Sequence, residues 1–135
     1  MTRSLVAFSV GLLVLMFVPS CYEKVLSLGH KGGDMLAHKL SINRMLANVV
    51  VFLTGCFELV ALGALVYGLI GSHETLVGAA CIMLAFFTLA VTLTFWTVPF
   101  DKVRALHNVS SIGGLLLTFA LRSHVVDSFS RERRP

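Results

Sequence analysis

The chain has 135 residues, of which 56% are hydrophobic and 13% are charged. It is too short for several domains and too apolar for a typical water-soluble domain, which hides its apolar side chains in a core. The formal net charge of +4 does not indicate nucleic-acid binding, because the basic residues lie between apolar segments and at the C-terminal end. Lys and Arg in those places are typical of the flanks of membrane spans.

Four apolar segments follow one another, at roughly residues 5–22, 45–70, 76–100 and 106–121. A helix of about 20 apolar residues can cross a bilayer, and backbone groups in hydrocarbon need partners within the segment. Pro19 interrupts the first segment. This segment also resembles a secretory signal with a cleavage site after Ser20, but we expect it to be retained as a span. The predicted fold is all-α: a single domain, residues 1–135, forming an integral membrane bundle of four transmembrane helices.

The connections between these segments differ in length. Residues 71–74 form a short turn, which makes the second and third helices antiparallel neighbours. The first connection, roughly residues 23–44, is long enough for a short amphipathic helix with Asp34 as its N-cap, lying on the membrane surface. The third connection is compact and charged.

Glu58 is the charged residue in the second apolar segment. A carboxylate inside a span is costly, so it should face other helices. Two interpretations remain open: a proton-handling or ligand-binding acid, or a structural hydrogen bond to Thr54 or to threonines of the third segment, Thr88, Thr92 and Thr94. Small residues on the same face, such as Gly55 and Ala61, predict a closely packed neighbouring helix. We expect the uncharged form, and therefore that Glu58→Gln folds and assembles normally. A Lys24 or Arg104 side chain turned inward would instead keep Glu58 ionised.

A second group of polar residues is expected at one end of the bundle, where the first and third connections meet. Its candidate binding residues are Lys24, Trp96, His107 and Asn108. Other charged residues expected there are Arg44, Asp101, Lys102 and Arg104. Such an end could bind an anionic or quinone-like head group. The alternative is an ordinary interface belt of aromatic and basic side chains.

Catalytic machinery is not visible in the sequence. The histidines fall at or beyond the ends of the apolar segments, and no pair of metal ligands shares a helix face. Nucleotide-binding glycine patterns and a nucleophile elbow are absent. The three cysteines are isolated, without a CxxC pair. We therefore expect no catalytic residue, no metal site and no cofactor held by this chain, although a structural lipid or a quinone is possible.

In three places the sequence resembles the DoxX-like family of small four-helix membrane proteins. Residues 17–26 resemble the family's Phe-x3-Gly-x2-Lys-Leu motif, with Lys24 at the lysine and Cys21 at the glycine position. Residues 55–65 resemble the second span, with Glu58 at its acidic position. Phe95-Trp96, a charged linker, Asn108 and the paired glycines 113 and 114 resemble the family's aromatic linker and fourth span.

The resemblance implies a place among proteins that include small subunits of quinone-linked membrane oxidoreductases. The leading hypothesis is a non-catalytic accessory subunit of a respiratory or other quinone-linked assembly, with other membrane subunits and lipids as partners. We expect an energy-transducing membrane, either the mitochondrial inner or the bacterial cytoplasmic membrane. Two alternatives stay open: a small-molecule or quinone binder centred on Glu58 and the Lys24/Asn108 end, and a chaperone for membrane-protein assembly.

Overall fold

The structure is a computed structural model that describes residues 3–95 and 102–131. These residues form six α-helices and no strand: α1 (Arg3–Leu26), α2 (His30–Leu40), α3 (Arg44–Gly71), α4 (Glu74–Phe95), α5 (Lys102–Ala120) and α6 (Arg122–Arg131). The predicted all-helical class is confirmed for this part of the chain.

Three of the helices are long and apolar enough to cross a membrane: Phe8–Leu26 within α1, and all of α3 and α4. Pro19 lies inside α1, which continues through it to Leu26, beyond the expected end near residue 22. A proline removes one backbone hydrogen bond, which long apolar helices tolerate. The last five residues of the third predicted segment, 96–100, and Asp101 lie outside the described residues.

The fourth predicted segment is divided between two helices. α5 begins at Lys102, four residues earlier than expected, and α6 follows it after a bend of 76°. The pair meets the length and composition of a span only when both helices are taken together. The predicted end near residue 121 is correct for α5, but the charged tail continues as α6 because Val125 and Val126 are buried.

The chain divides into two compact units. One comprises Leu15–Val60, which includes the second half of α1, all of α2 and the first half of α3. Its buried apolar side chains come from all three helices: Phe17, Cys21, Leu36, Ala47 and Val51. Asn43 begins α3 as an N-cap, because its side-chain oxygen accepts a hydrogen bond from the Met45 N–H at 2.8 Å.

The short helix predicted in the first connection exists, but Asp34 does not cap it. α2 begins at His30, four residues before Asp34, and Gly29 stands at its N-cap position with φ 79° and no side-chain cap. Glycine fits there because this left-handed conformation penalises a Cβ. Asp34 lies within α2, where it forms an ion pair with Arg44 at the start of α3.

The second unit contains the N-terminal part of α1 and the chain from Ala61 onward. Its largest fully buried side chains are Leu65, Val77, Cys81, Leu84 and Leu115. Gly68 allows α4 to approach α3 closely, since a Cβ at this position would lie 2.9 Å from Val77 Cγ2. The packing role predicted for small residues is therefore confirmed at Gly68, and its neighbour lies within the chain.

Candidate functional site

The most buried charged group among the described side chains is the carboxylate of Glu58 in α3, and it forms an ion pair with α1. Lys24 Nζ lies 2.8 Å from Glu58 Oε1. Ser20 Oγ donates a longer hydrogen bond, 3.5 Å, to Glu58 Oε2. The Glu58 side chain is 3% exposed and that of Lys24 is 23% exposed. Ser20, Lys24 and Glu58, called here the Ser20–Lys24–Glu58 cluster, lie in the unit Leu15–Val60.

Helix geometry explains how the two α1 residues reach one carboxylate. Ser20 and Lys24 are four residues apart, so they share a face of α1. Opposite them is Gly55, where a Cβ would lie 2.7 Å from Lys24 Cβ and 3.2 Å from Val25 Cγ2. Glycine therefore brings the two helix backbones close enough for the Lys24 ammonium to reach Glu58, one turn further along α3. The close packing predicted for this face is confirmed.

The hydrogen-bond partners predicted for Glu58 are wrong. The Thr54 hydroxyl donates to Val51 O of its own helix, and Thr88 and Thr92 likewise donate to backbone oxygens of α4. Thr94 also donates to its own helix, to Ala90 O. Hydroxyls in long helices commonly satisfy themselves in this way, one turn back. Glu58 is instead held by Lys24 and Ser20 of α1, and an inward-turned Lys24 was the alternative to the expected uncharged form.

The expectation that Glu58 has no basic neighbour is wrong, whereas its uncharged form stays a prediction. The expectation assumed that all basic residues lie at or beyond the span ends and therefore out of reach. However, α1 runs past residue 22 to Leu26, and a lysine side chain is long enough to turn back along its own helix. An ammonium at 2.8 Å favours the ionised carboxylate, whereas burial of the carboxyl group favours its uncharged form.

The contacts around Glu58 limit what this site can do chemically. Both carboxylate oxygens have partners from α1, and the neighbouring Cys21 is 2% exposed, with its thiol donating to Val18 O at 3.3 Å. A ligand would have to displace Lys24 or Ser20 before it could bind Glu58. The arrangement thus resembles a satisfied structural contact more than an open binding site.

A polar contact between α2 and α3 was missed by the sequence interpretation. Gly29 and Gly33 lie one turn apart and face Asn48: a Cβ on Gly29 would collide with the Asn48 carbonyl oxygen, and one on Gly33 with its side-chain oxygen. Asn48 Nδ2 also lies 3.0 Å from His30 Nδ1. The Gly-x3-Gly spacing at residues 29–33 was the signal that could have revealed this contact.

Lys24 and Arg44 belong to the unit Leu15–Val60, whereas His107 and Asn108 belong to the other unit. Asn108 in α5 donates a hydrogen bond from Nδ2 to Thr92 Oγ1 of α4, at 2.9 Å. His107 is exposed. Trp96 lies outside the described residues. Arg44 is the partner of Asp34, which gives it a structural role. A combined binding site of Lys24 with Asn108 stays a prediction.

The described residues contain no group of three or more His, Cys, Asp or Glu side chains that could hold a metal ion. Cys21, Cys56 and Cys81 are free thiols. Cys21 and Cys81 are buried, as thiols in apolar helices usually are.

Comparison of the chain with protein-family models, curated proteins and solved structures gives no match.

Proposed function

We propose that this protein is an integral membrane protein in which α1, α3, α4 and α5 cross the membrane. The observation that carries the proposal is the apolar outer surface of helices long enough to span. Val60 on α3, Phe86 on α4 and Leu117 on α5 are each more than 60% exposed. Large apolar side chains arranged in this way need lipid or another protein around them.

α5 is proposed as the fourth span, without α6. Its 19 residues correspond to about 28 Å of helix, close to the thickness of a hydrocarbon core of about 30 Å. The bend of 76° then turns α6 nearly parallel to the membrane plane. Arg122 stands at this bend, with its guanidinium 4.8 Å from the centre of the Phe119 ring.

Within the membrane, we propose a non-catalytic accessory role in a larger complex, with a respiratory or quinone-linked oxidoreductase assembly as the best candidate. The resemblance to DoxX-like proteins supports this assignment. A second support is that the buried ion pair is satisfied within the chain, which leaves the outer helix faces as the surfaces for partners. The quinone-binding alternative has less support, because both oxygens of Glu58 are already engaged.

Purification from its native membrane in a mild detergent tests the accessory role. We expect the protein to co-purify with other membrane subunits, at an apparent mass well above 14.7 kDa plus detergent. Migration alone in several mild detergents would contradict the proposal.

Three glycines allow the partner face to be located. Gly11 in α1, Gly63 in α3 and Gly113 in α5 each have open space where a Cβ would stand. Each is changed in turn to Phe, which should pack into lipid without disturbing the chain itself. If the changed glycine lies on a helix face that contacts a partner, the variant should no longer co-purify with the other subunits. If the glycine faces lipid, co-purification should be unchanged.

A further inference from the structure

α1 is the least apolar of the three described helices that could each cross a membrane alone. It contains Pro19, Glu23 and Lys24 in its second half. An unpaired lysine in a span is unfavourable when it faces lipid, as is an unpaired carboxylate in a neighbouring span. α1 and α3 therefore each contain a charge that disfavours an isolated helix in the bilayer.

The structure places these two unfavourable charges 2.8 Å apart. The two helices approach each other closely beside this contact, because Gly55 faces Lys24 and Val25 there. The same face of α1 buries Cys21, which is 2% exposed. Docking of α1 on α3 thus neutralises both charges and hides one thiol in a single step.

We infer that the Ser20–Lys24–Glu58 cluster is a lock that makes α1 and α3 a single membrane unit. α1 remains embedded because it is docked on α3, and α3 accommodates its carboxylate because α1 supplies the ammonium. The cluster is thus a conformational device that couples the two spans. This inference rests on the proposed membrane location but not on the accessory role.

The thiol of Cys21 reports directly on this docking. In full-length protein in native membranes, Cys56 and Cys81 are changed to Ser, and the rate at which a membrane-permeant maleimide labels Cys21 is measured. Glu58→Leu and Lys24→Met should each raise this rate by about tenfold or more, because each leaves one buried charge without its partner. The double variant Lys24→Met with Glu58→Leu should restore slow labelling.

Two controls keep the outcomes separate. Cys81, which is 0% exposed in α4, is labelled in a parallel Cys21→Ser, Cys56→Ser series, and it should stay unreactive if only α1 detaches. Extraction at alkaline pH tests the membrane location: release of the wild-type protein would contradict the proposed function. Wild-type protein that resists extraction, but whose Cys21 labelling is unchanged in both single variants, would overturn the lock alone. So would a double variant as reactive as the single ones.

Discussion

The stability of the protein should depend on Glu58 and Lys24 being present together, because either charged group is unfavourable when its partner is missing. Glu58→Gln leaves the Lys24 ammonium beside a neutral amide, so we now expect it to destabilise the protein by about 2–3 kcal/mol. This value lies below the range for fully buried pairs, because Lys24 is partly exposed and can turn toward the membrane surface. Thermal unfolding in detergent, followed by circular dichroism, measures the change. Stability equal to wild type would restore the earlier interpretation of an uncharged Glu58.

The hydrogen bond between Asn108 and Thr92 gives a second residue-scale prediction. It joins α5 to α4 at 2.9 Å, and such bonds in membrane helices contribute about 0.6 kcal/mol on average. A double-mutant cycle of Thr92→Val with Asn108→Ala should give a coupling energy of this size. Thr88→Val is the matched control, because its hydroxyl donates to Leu84 O of its own helix. Equal coupling of Asn108→Ala with both threonine variants would contradict a direct bond.

Leu28, which connects α1 to α2, adopts a left-handed backbone with φ 49°. This conformation costs a non-glycine residue roughly 1 kcal/mol or more. Leu28→Gly should therefore raise the free energy of unfolding by about 1 kcal/mol. Leu15→Gly is the control: Leu15 is exposed to the same extent, 64%, but it lies in the interior of α1, where glycine destabilises a helix by about 1 kcal/mol. Loss of stability in both variants would contradict the assigned backbone conformation.

At the scale of the helices, two glycines of α3 should respond in opposite ways to an added methyl group. Gly55→Ala places a Cβ 2.7 Å from Lys24 Cβ, an atom attached to the α1 backbone, so the helices must separate. We expect a loss of about 1–3 kcal/mol. Gly63→Ala meets nothing within 4 Å and should be neutral or stabilising, since alanine favours helix. Similar losses at both positions would argue against close packing of α1 on α3.

Comparison of the predicted segments with the observed helices shows which parts of the fold the sequence could predict. Long apolar segments require backbone hydrogen bonds within themselves, so the existence of α1, α3, α4 and α5 followed from composition. The extent of the helical chain did not follow from composition. α1 continues through Pro19 and Lys24, and a further helix, α6, begins at Arg122. Those continuations depend on tertiary contacts, such as the burial of Val125 and Val126, which a single sequence does not display.

For the candidate site, the sequence predicted the burial of Glu58 but gave its partner Lys24 only as an alternative. Helix periodicity placed Glu58 on a face with Gly55, and that face is indeed packed. The partner depended on the register between α1 and α3 and on the reach of a lysine side chain, neither of which periodicity determines. Ser20 and Lys24 at i and i+4 were visible in the sequence, although their joint orientation toward α3 was not.

At the scale of the whole molecule, the account depends on how many times the chain crosses the membrane. The most direct measurement uses sealed vesicles and a membrane-impermeant maleimide, in a variant without its three native cysteines. Single cysteines are introduced by Thr2→Cys before α1 and by Ser123→Cys in α6. Four crossings place both positions on the same side, so we predict that both are labelled in one vesicle orientation and neither in the other. Labelling from opposite sides would show an odd number of crossings, and it would contradict the four-span membrane protein proposed here.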